Sequence, residues 1–399
     1  MNRPKNQAST SRSPQVQLTR NLRRNIMRGH PWVYKDAVRP PSSGTGKAQL
    51  CEVIDSKQDG LAWAIYDPHS VLALRILSTQ RSSPNEEFYL ARFAKALRLR
   101  ASVRSDKSTA YRLFNGEGDL LPGLVCDIYN NVAVLQFDGQ GPDEFWDKEF
   151  VGTWLLENAG VTSVVEKMRR HSQQKGLQKI SGAEAESRLA IQEHGARFWV
   201  DIERGQKTGF FLDQRENRKY VQETSKGKSV LNMFSYSGGF SIYAGLGQAT
   251  QVASLDIAEG AISMAQENWE LNGLNPSHHA GIAEDVFKYL EGDRELWDSI
   301  IVDPPSMGHS EEQKDRALQK YIELFQASAK KVKPQGDLFL SSCSSHISFE
   351  DFFVIIEEAL SGARRKGQIL RVSGQGADHP FPHVCPELRY LKFVHLALD

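Results

Sequence analysis

The sequence predicts an α/β chain. Its C-terminal half reads as a doubly wound, mostly parallel sheet, preceded by a small α+β domain and an N-terminal β-rich module. Three observations carry this. After about residue 196, short apolar runs alternate with stretches of helical periodicity, the pattern of β-α-β units. Gly238-Gly239 stands between one such run and a helix, where free N–H groups and small residues receive ligands. Asp303-Pro304-Pro305-Ser306 closes the apolar run Trp297 to Val302. Two prolines offer no N–H to a ladder, so the strand must turn there and leave Asp303 at its C-terminal rim.

Residues 1 to 14 are polar and read as a disordered tail. From 15 to 87 a small β-barrel-like module is expected. A short basic helix covers Arg20 to Arg28, and strands cover Gln49–Ile54, Leu61–Tyr66 and Val71–Leu77, with turns at 55–60 and 67–69. The central α+β domain spans 88–195. A helix covers Phe88 to Val103, with apolar residues at helical spacing. A Gly-rich section runs from Tyr111 to Val125. Strands Leu124–Tyr129 and Val132–Phe137 pair through Asn130-Asn131, a helix covers Phe145–Asn158, and a strand covers Ser163–Lys167. The last domain, 196–399, has strands at Ser229–Phe234, Gln251–Asp256, Trp297–Val302, Gly336–Ser342, Ile369–Val372 and Leu391–Leu396. Its helices are Phe240–Gly247, Ala258–Asn272, Gln313–Val332 and Phe349–Leu360.

The 399 residues carry no net charge, so no blanket attraction for nucleic acid exists. The first forty residues nevertheless hold nine basic side chains against one acid, Asp36. Arg20, Arg23, Arg24 and Arg28 are the candidate RNA-binding face. The four cysteines are dispersed, without metal spacing, so no metal and no disulfide framework are expected, and a reduced cytoplasmic setting fits. No run approaches a membrane span. A homodimer is left open.

The motifs assemble in order. Phe234-Ser-Tyr236-Ser237-Gly238-Gly239 departs from the dinucleotide spacing and suits a nucleoside. Asp256-Ile257 ends the next strand, where an acid binds a ribose diol or caps the following helix. Asp285-Val286 is placed to read an adenine edge. Upstream, Phe210 and Phe211 can wall a cofactor or simply pack, and Asp213 and Arg215 follow, with Arg215 able to pair with a carboxylate. Cys343 follows a strand at the same rim as Asp303, near a helix start that would acidify its thiol.

These stretches resemble the ribosomal RNA large-subunit methyltransferase I family. Arg28-Gly-His-Pro-Trp-Val-Tyr34 is similar to its PUA domain, and Leu113 to Gly123 to its middle domain. Lys207 to Arg215, Asn232 to Gly239, Asp303-Pro304-Pro305 and Ser342-Cys343-Ser344 are similar to its catalytic motifs. The resemblance implies a class I Rossmann-like sheet, S-adenosylmethionine as cofactor, and a cytosine in 23S (large-subunit) ribosomal RNA as substrate. Cys343 would add to C6 and make C5 nucleophilic, Asp303 would donate to N3 or position the ring, and Pro304 and Pro305 would face the RNA. The target base must leave its stack. Ser306 stands where a related family has a second cysteine, so one cysteine must serve addition and release. Two other classes remain open: non-covalent methylation of another RNA atom, and an RNA-binding assembly factor.

Overall fold

The computed structural model describes residues 13–41, 46–105, 107–168, 176–292, 295–308 and 313–399. The expected tail therefore lies, for residues 1–12, outside the described residues. Among the described residues no helix is long and apolar enough to cross a membrane.

The N-terminal module consists of β1 (Gln15–Leu18), α1 (Arg23–Met27), β2 (Trp32–Val33), β3 (Val38–Arg39), β4 (Gln49–Ile54), β5 (Gly60–Tyr66) and β6 (Leu74–Ser78). Its strands form one sheet in the order β2-β6-β5-β4-β1-β3, curled around Val16, Cys51, Val53, Ala64 and Leu74. The strand expected from Val71 begins only at Leu74. Asp67 N–H bonds to Ala73 O (2.9 Å), closing a turn that leaves Val71 exposed.

The central layer holds α2 (Glu86–Leu99), β7 (Ala110–Asn115), β8 (Leu124–Tyr129), β9 (Val132–Phe137), α3 (Gln140–Phe145), α4 (Lys148–Asn158), β10 (Ser163–Lys167) and β11 (Leu177–Gly182). The expected β8–β9 hairpin is present, and its turn residue Asn130 is left-handed (φ 58°). The single helix expected over 145–158 is two, because Asp147 accepts the Phe150 N–H (3.0 Å) and starts α4 afresh. A hairpin of β12 (Arg188–Glu193) and β13 (Ala196–Asp201) follows, absent from the expected elements. The boundary drawn at 195/196 falls inside its turn.

The remaining elements are α5 (Arg215–Thr224), β14 (Ser229–Met233), α6 (Gly239–Leu246), β15 (Gln251–Asp256), α7 (Glu259–Leu271), β16 (His279–Ala283), α8 (Val286–Gly292), β17 (Trp297–Val302), α9 (Lys314–Ala329), β18 (Val332–Ser342), α10 (Phe349–Ala363), β19 (Gly367–Ser373) and β20 (Lys392–Leu398). They build a seven-stranded sheet, ordered β16-β15-β14-β17-β18-β20-β19, antiparallel only at β20. Helices α9 and α10 cover one face through Tyr321, Phe325 and Phe352. Helices α6 and α7 and the β12–β13 hairpin cover the other through Phe198, Phe240, Tyr243 and Trp269. Both faces are therefore buried over the central strands β14, β15, β17 and β18, which read as largely apolar runs. The chain order reverses between β14 and β17, and a crevice opens at their C-terminal ends.

Candidate functional site

That crevice is a cavity of about 340 Å³, within the range of small-molecule sites. The turns after β14, β15, β17 and β18 supply Phe234–Ser237, Asp256, Asp303–Ser306 and Cys343, and segment 206–218 closes one side. Sheet register explains the convergence. Met233 pairs with Val302 and Val302 with Leu340, so the three strands end level at the rim.

The turn after β14 is held open in a costly conformation. Phe234 (φ 57°) and Tyr236 (φ 48°) are left-handed, which side-chain-bearing residues rarely adopt away from functional sites. Gly238 (φ 79°) is required, since a Cβ there would meet the Ala265 Cβ at 2.8 Å. Asp256 Oδ2 accepts the Tyr236 N–H (2.9 Å), and Oδ1 accepts the Ala258 N–H (3.0 Å). The Tyr236 hydroxyl accepts from Gln206 N–H (3.1 Å) and donates to Gly209 O (3.3 Å), joining this turn to the 206–211 segment. Phe211 meets Tyr236 edge-on at 5.4 Å. The buried hydroxyls of Ser235 and Ser237 have no hydrogen-bond partner among the described residues, although both line the cavity. Buried polar atoms without partners are costly, and a polar ligand would satisfy them.

Across the cavity, Asp213 accepts from Lys207 Nζ (2.6 Å) and the Tyr390 hydroxyl (2.6 Å). Burial alone would raise the Asp213 carboxyl. Lys207 and His379 outweigh it and hold the group far below the ordinary range. Lys207 Nζ also lies 4.5 Å over the Phe211 ring. Asp303 Oδ1 accepts from Gln214 Nε2 (2.9 Å), and burial pushes its carboxyl up to about 6, opposed by the Ser341 hydroxyl. Cys343 Sγ sits 4.0 Å from the Pro304 carbonyl, so thiol and carboxyl loops touch. The backbone after Cys343 is fixed by a buried ammonium. Lys392 Nζ donates to the carbonyls of Ser344 (2.7 Å), Ile347 (2.6 Å) and Tyr390 (2.8 Å).

Several expected site residues meet here: Phe210, Phe211, Asp213, Phe234, Tyr236, Ser237, Gly239, Asp256, Ile257, Asp303, Pro304, Pro305 and Cys343. Two expectations, those for Arg215 and for the Cys343 thiol, are corrected. Arg215 does not face the cavity; it is fully buried and already paired with Asp378 at 2.7 Å. Asp285 and Val286 are not among the lining residues; Asp285 accepts the Lys288 N–H (3.1 Å) at the start of α8, and Val286 lies in the core. The Cys343 thiol is not acidified, because α10 begins only at Phe349, and burial pushes it up to about 11 against the opposing pull of Lys207. The N-terminal arginines lie outside the cavity. Arg20 pairs with Asp36 (2.8 Å) and Arg23 with Asp55 (2.9 Å), while Arg24 and Arg28 are exposed. Lining residues that sequence reasoning did not single out include Lys207, Gln214 and Arg218; Tyr390 and Lys392 support the site from the far end of the chain. Lys207 lay within a stretch already marked as unusual, whereas nothing local signalled Tyr390 or Lys392.

Residues 153–387 match the S-adenosylmethionine-dependent methyltransferase family, and residues 16–79 match the PUA-like domain. The chain is 34% identical to a ribosomal RNA large subunit methyltransferase of Deinococcus radiodurans, over 98% of this chain and 100% of that protein. It is 33% identical to ribosomal RNA large subunit methyltransferase I of Photobacterium profundum, over 94% and 97%. Among solved structures, it superposes on the methyltransferase SMU.776, complexed with SAH, with a TM-score of 0.83 at 24% identity, covering 96% of this chain and 100% of that one.

Proposed function

The chain belongs to the S-adenosylmethionine-dependent ribosomal RNA large-subunit methyltransferase I family, and from that premise we propose that it methylates C5 of a cytosine in large-subunit ribosomal RNA through a covalent Cys343 adduct at C6. The observation that carries this reading is the shared cavity of Cys343 and Asp303, with their loops in contact at 4.0 Å. C5 of a pyrimidine is a weak nucleophile, and a nucleophile such as a thiolate bonded to C6 makes it enamine-like.

The residues fit the cofactor. Asp256 lines the cavity and would hold the ribose, Ser235 and Ser237 offer hydroxyls unpartnered among the described residues, and Phe211 and Ile257 provide apolar walls. S-adenosylmethionine, when bound, supplies the electrophilic methyl that C5 takes. Cys343 forms the S–C6 bond. Protonated Asp303, favoured by burial, donates to N3 and draws electron density from C6. Loss of the C5 proton to a base then expels the thiolate, the N3 proton returns to Asp303, and the ring is restored. Lys392 keeps the loop after the sulfur in register through addition and release. Ser306 leaves Cys343 to perform both.

The test is mass-spectrometric mapping of 5-methylcytosine in large-subunit ribosomal RNA from cells with and without the protein. A site lost on deletion and restored by the gene is the expected result; methylation at another base atom would establish the non-covalent alternative.

Two further outcomes are expected. Asp256→Ala should weaken S-adenosylmethionine binding by about 10- to 150-fold, the range for hydrogen bonds to a charged group. Calorimetry on the folded variant checks it, and unchanged affinity would remove Asp256 from the ribose position. The N-terminal module is expected to contact phosphate through Arg24 and Arg28, the two candidates with no acidic partner among the described residues. Replacing both with Ala should flatten the slope of log affinity against log salt by about 1.4 to 1.8, two contacts' share. An identical slope would place the RNA elsewhere.

A further inference from the structure

Segment 374–391 runs between β19 and β20 and ties three parts of the molecule together. Gly376 N–H donates to Asp213 O (3.2 Å), Asn115 Nδ2 donates to Pro380 O (2.8 Å), and Tyr390 reaches Asp213 in the cavity. Between Pro380 and Tyr390 the chain passes His30 of the N-terminal module. There an imidazole nitrogen of His30, the Cys385 sulfur and a Glu387 carboxylate oxygen all lie within 4.8 Å of one another. None of the three lines the catalytic cavity.

The donors are organised by their surroundings. His30 Nδ1 lies 3.2 Å from the Trp32 carbonyl and 3.3 Å from the Trp32 nitrogen, so the backbone at Trp32 holds the ring in place beside the other two donors. Cys385 is fully buried and outside any disulfide. Its N–H bonds to Pro382 O (3.0 Å) and its carbonyl accepts from Leu388 N–H (3.2 Å), which fixes the 385–388 turn. Glu387 is exposed, so its carboxylate can move without disturbing the core.

We propose that His30, Cys385 and Glu387 form a binding site for a zinc-type divalent cation that joins the N-terminal module to the 374–391 segment. Imidazole, thiolate and carboxylate are a borderline-soft set, suited to zinc and poorly to calcium or magnesium. Tetrahedral bonds of about 2.0–2.3 Å put ligand atoms roughly 3.3–3.8 Å apart, which the Glu387 side chain can close. The thiol proton leaves to solvent as the S–metal bond forms, and two anionic ligands neutralise the dication. Water takes the fourth position. The site is independent of the methylation chemistry, because it shares no residue with the cavity.

The experiment uses full-length protein, stripped with chelator and titrated with cobalt(II), then with zinc as competitor. One equivalent should bind with a thiolate-to-cobalt charge-transfer band that zinc displaces. Cys385→Ser should abolish the band, and His30→Ala and Glu387→Gln should weaken binding at least about tenfold. Should Cys385→Ser fail to fold, the surface change Glu387→Gln decides. Zinc should raise the melting temperature of the wild type but not of Glu387→Gln. The proposal is overturned by absence of stoichiometric binding, by a band that survives Cys385→Ser, by one that disappears in Cys343→Ser, or by unchanged affinity in Glu387→Gln.

Discussion

Cys343→Ser should lower methyl transfer to RNA by at least about 10³-fold while leaving the fold and S-adenosylmethionine binding intact. The change is nearly isosteric, and the loop is held by Lys392 through backbone carbonyls that the substitution does not touch. A serine hydroxyl is a far poorer nucleophile towards C6, and no second cysteine lines the cavity to replace it. RNA carrying 5-fluorocytosine should trap the wild type as a covalent complex, because no C5 proton is available for release. The variant should not be trapped. Near-normal methylation by Cys343→Ser would end the covalent mechanism and leave methylation of a different atom as the reading.

The second large effect is on pH dependence. The proposed mechanism needs Cys343 as thiolate and Asp303 protonated. The thiol is pushed up to about 11 and the carboxyl to about 6, both by burial. Between these values the thiolate fraction rises tenfold per pH unit while the protonated carboxyl fraction falls tenfold. Their product is level, so kcat/KM of the wild type should be flat from about pH 7 to 9. Asp303→Asn removes the falling factor. Its kcat/KM should drop by about 10²–10⁴ at neutral pH, the scale of losing a general acid, and then climb about tenfold per unit as pH rises. Asn still carries an amide N–H, so ring positioning survives and only proton donation is lost. A variant with the wild type's flat profile would show that Asp303 acts by position alone.

The elements found by sequence are those whose signal is local. Gln49–Ile54, Ser163–Lys167, Gln251–Asp256 and Trp297–Val302 are strands with the bounds their apolar runs suggest. The β12–β13 hairpin was missed because its alternation is blurred by the buried Glu193 and the outward Trp199, and because its burial comes from α6 and α7, far along the chain. Cavity residues at strand ends were legible, since a proline pair, a glycine pair or a terminal acid marks each rim. Arg215 was assigned a ligand carboxylate, but protein carboxylates already occupy it, one of them on the adjacent Glu216 (3.2 Å). The other, Asp378, arrives from 163 residues away. Tyr390 and Lys392 stayed invisible for the same reason: their roles exist only once β20 is inserted beside β18.

The elevated thiol has a consequence for the enzyme between turnovers. Peroxides and electrophiles attack cysteine as thiolate, and at neutral pH a thiol near 11 is ionised about 300-fold less than a free cysteine near 8.5. The idle enzyme should therefore survive oxidant stress that would convert a preformed thiolate to sulfenic acid.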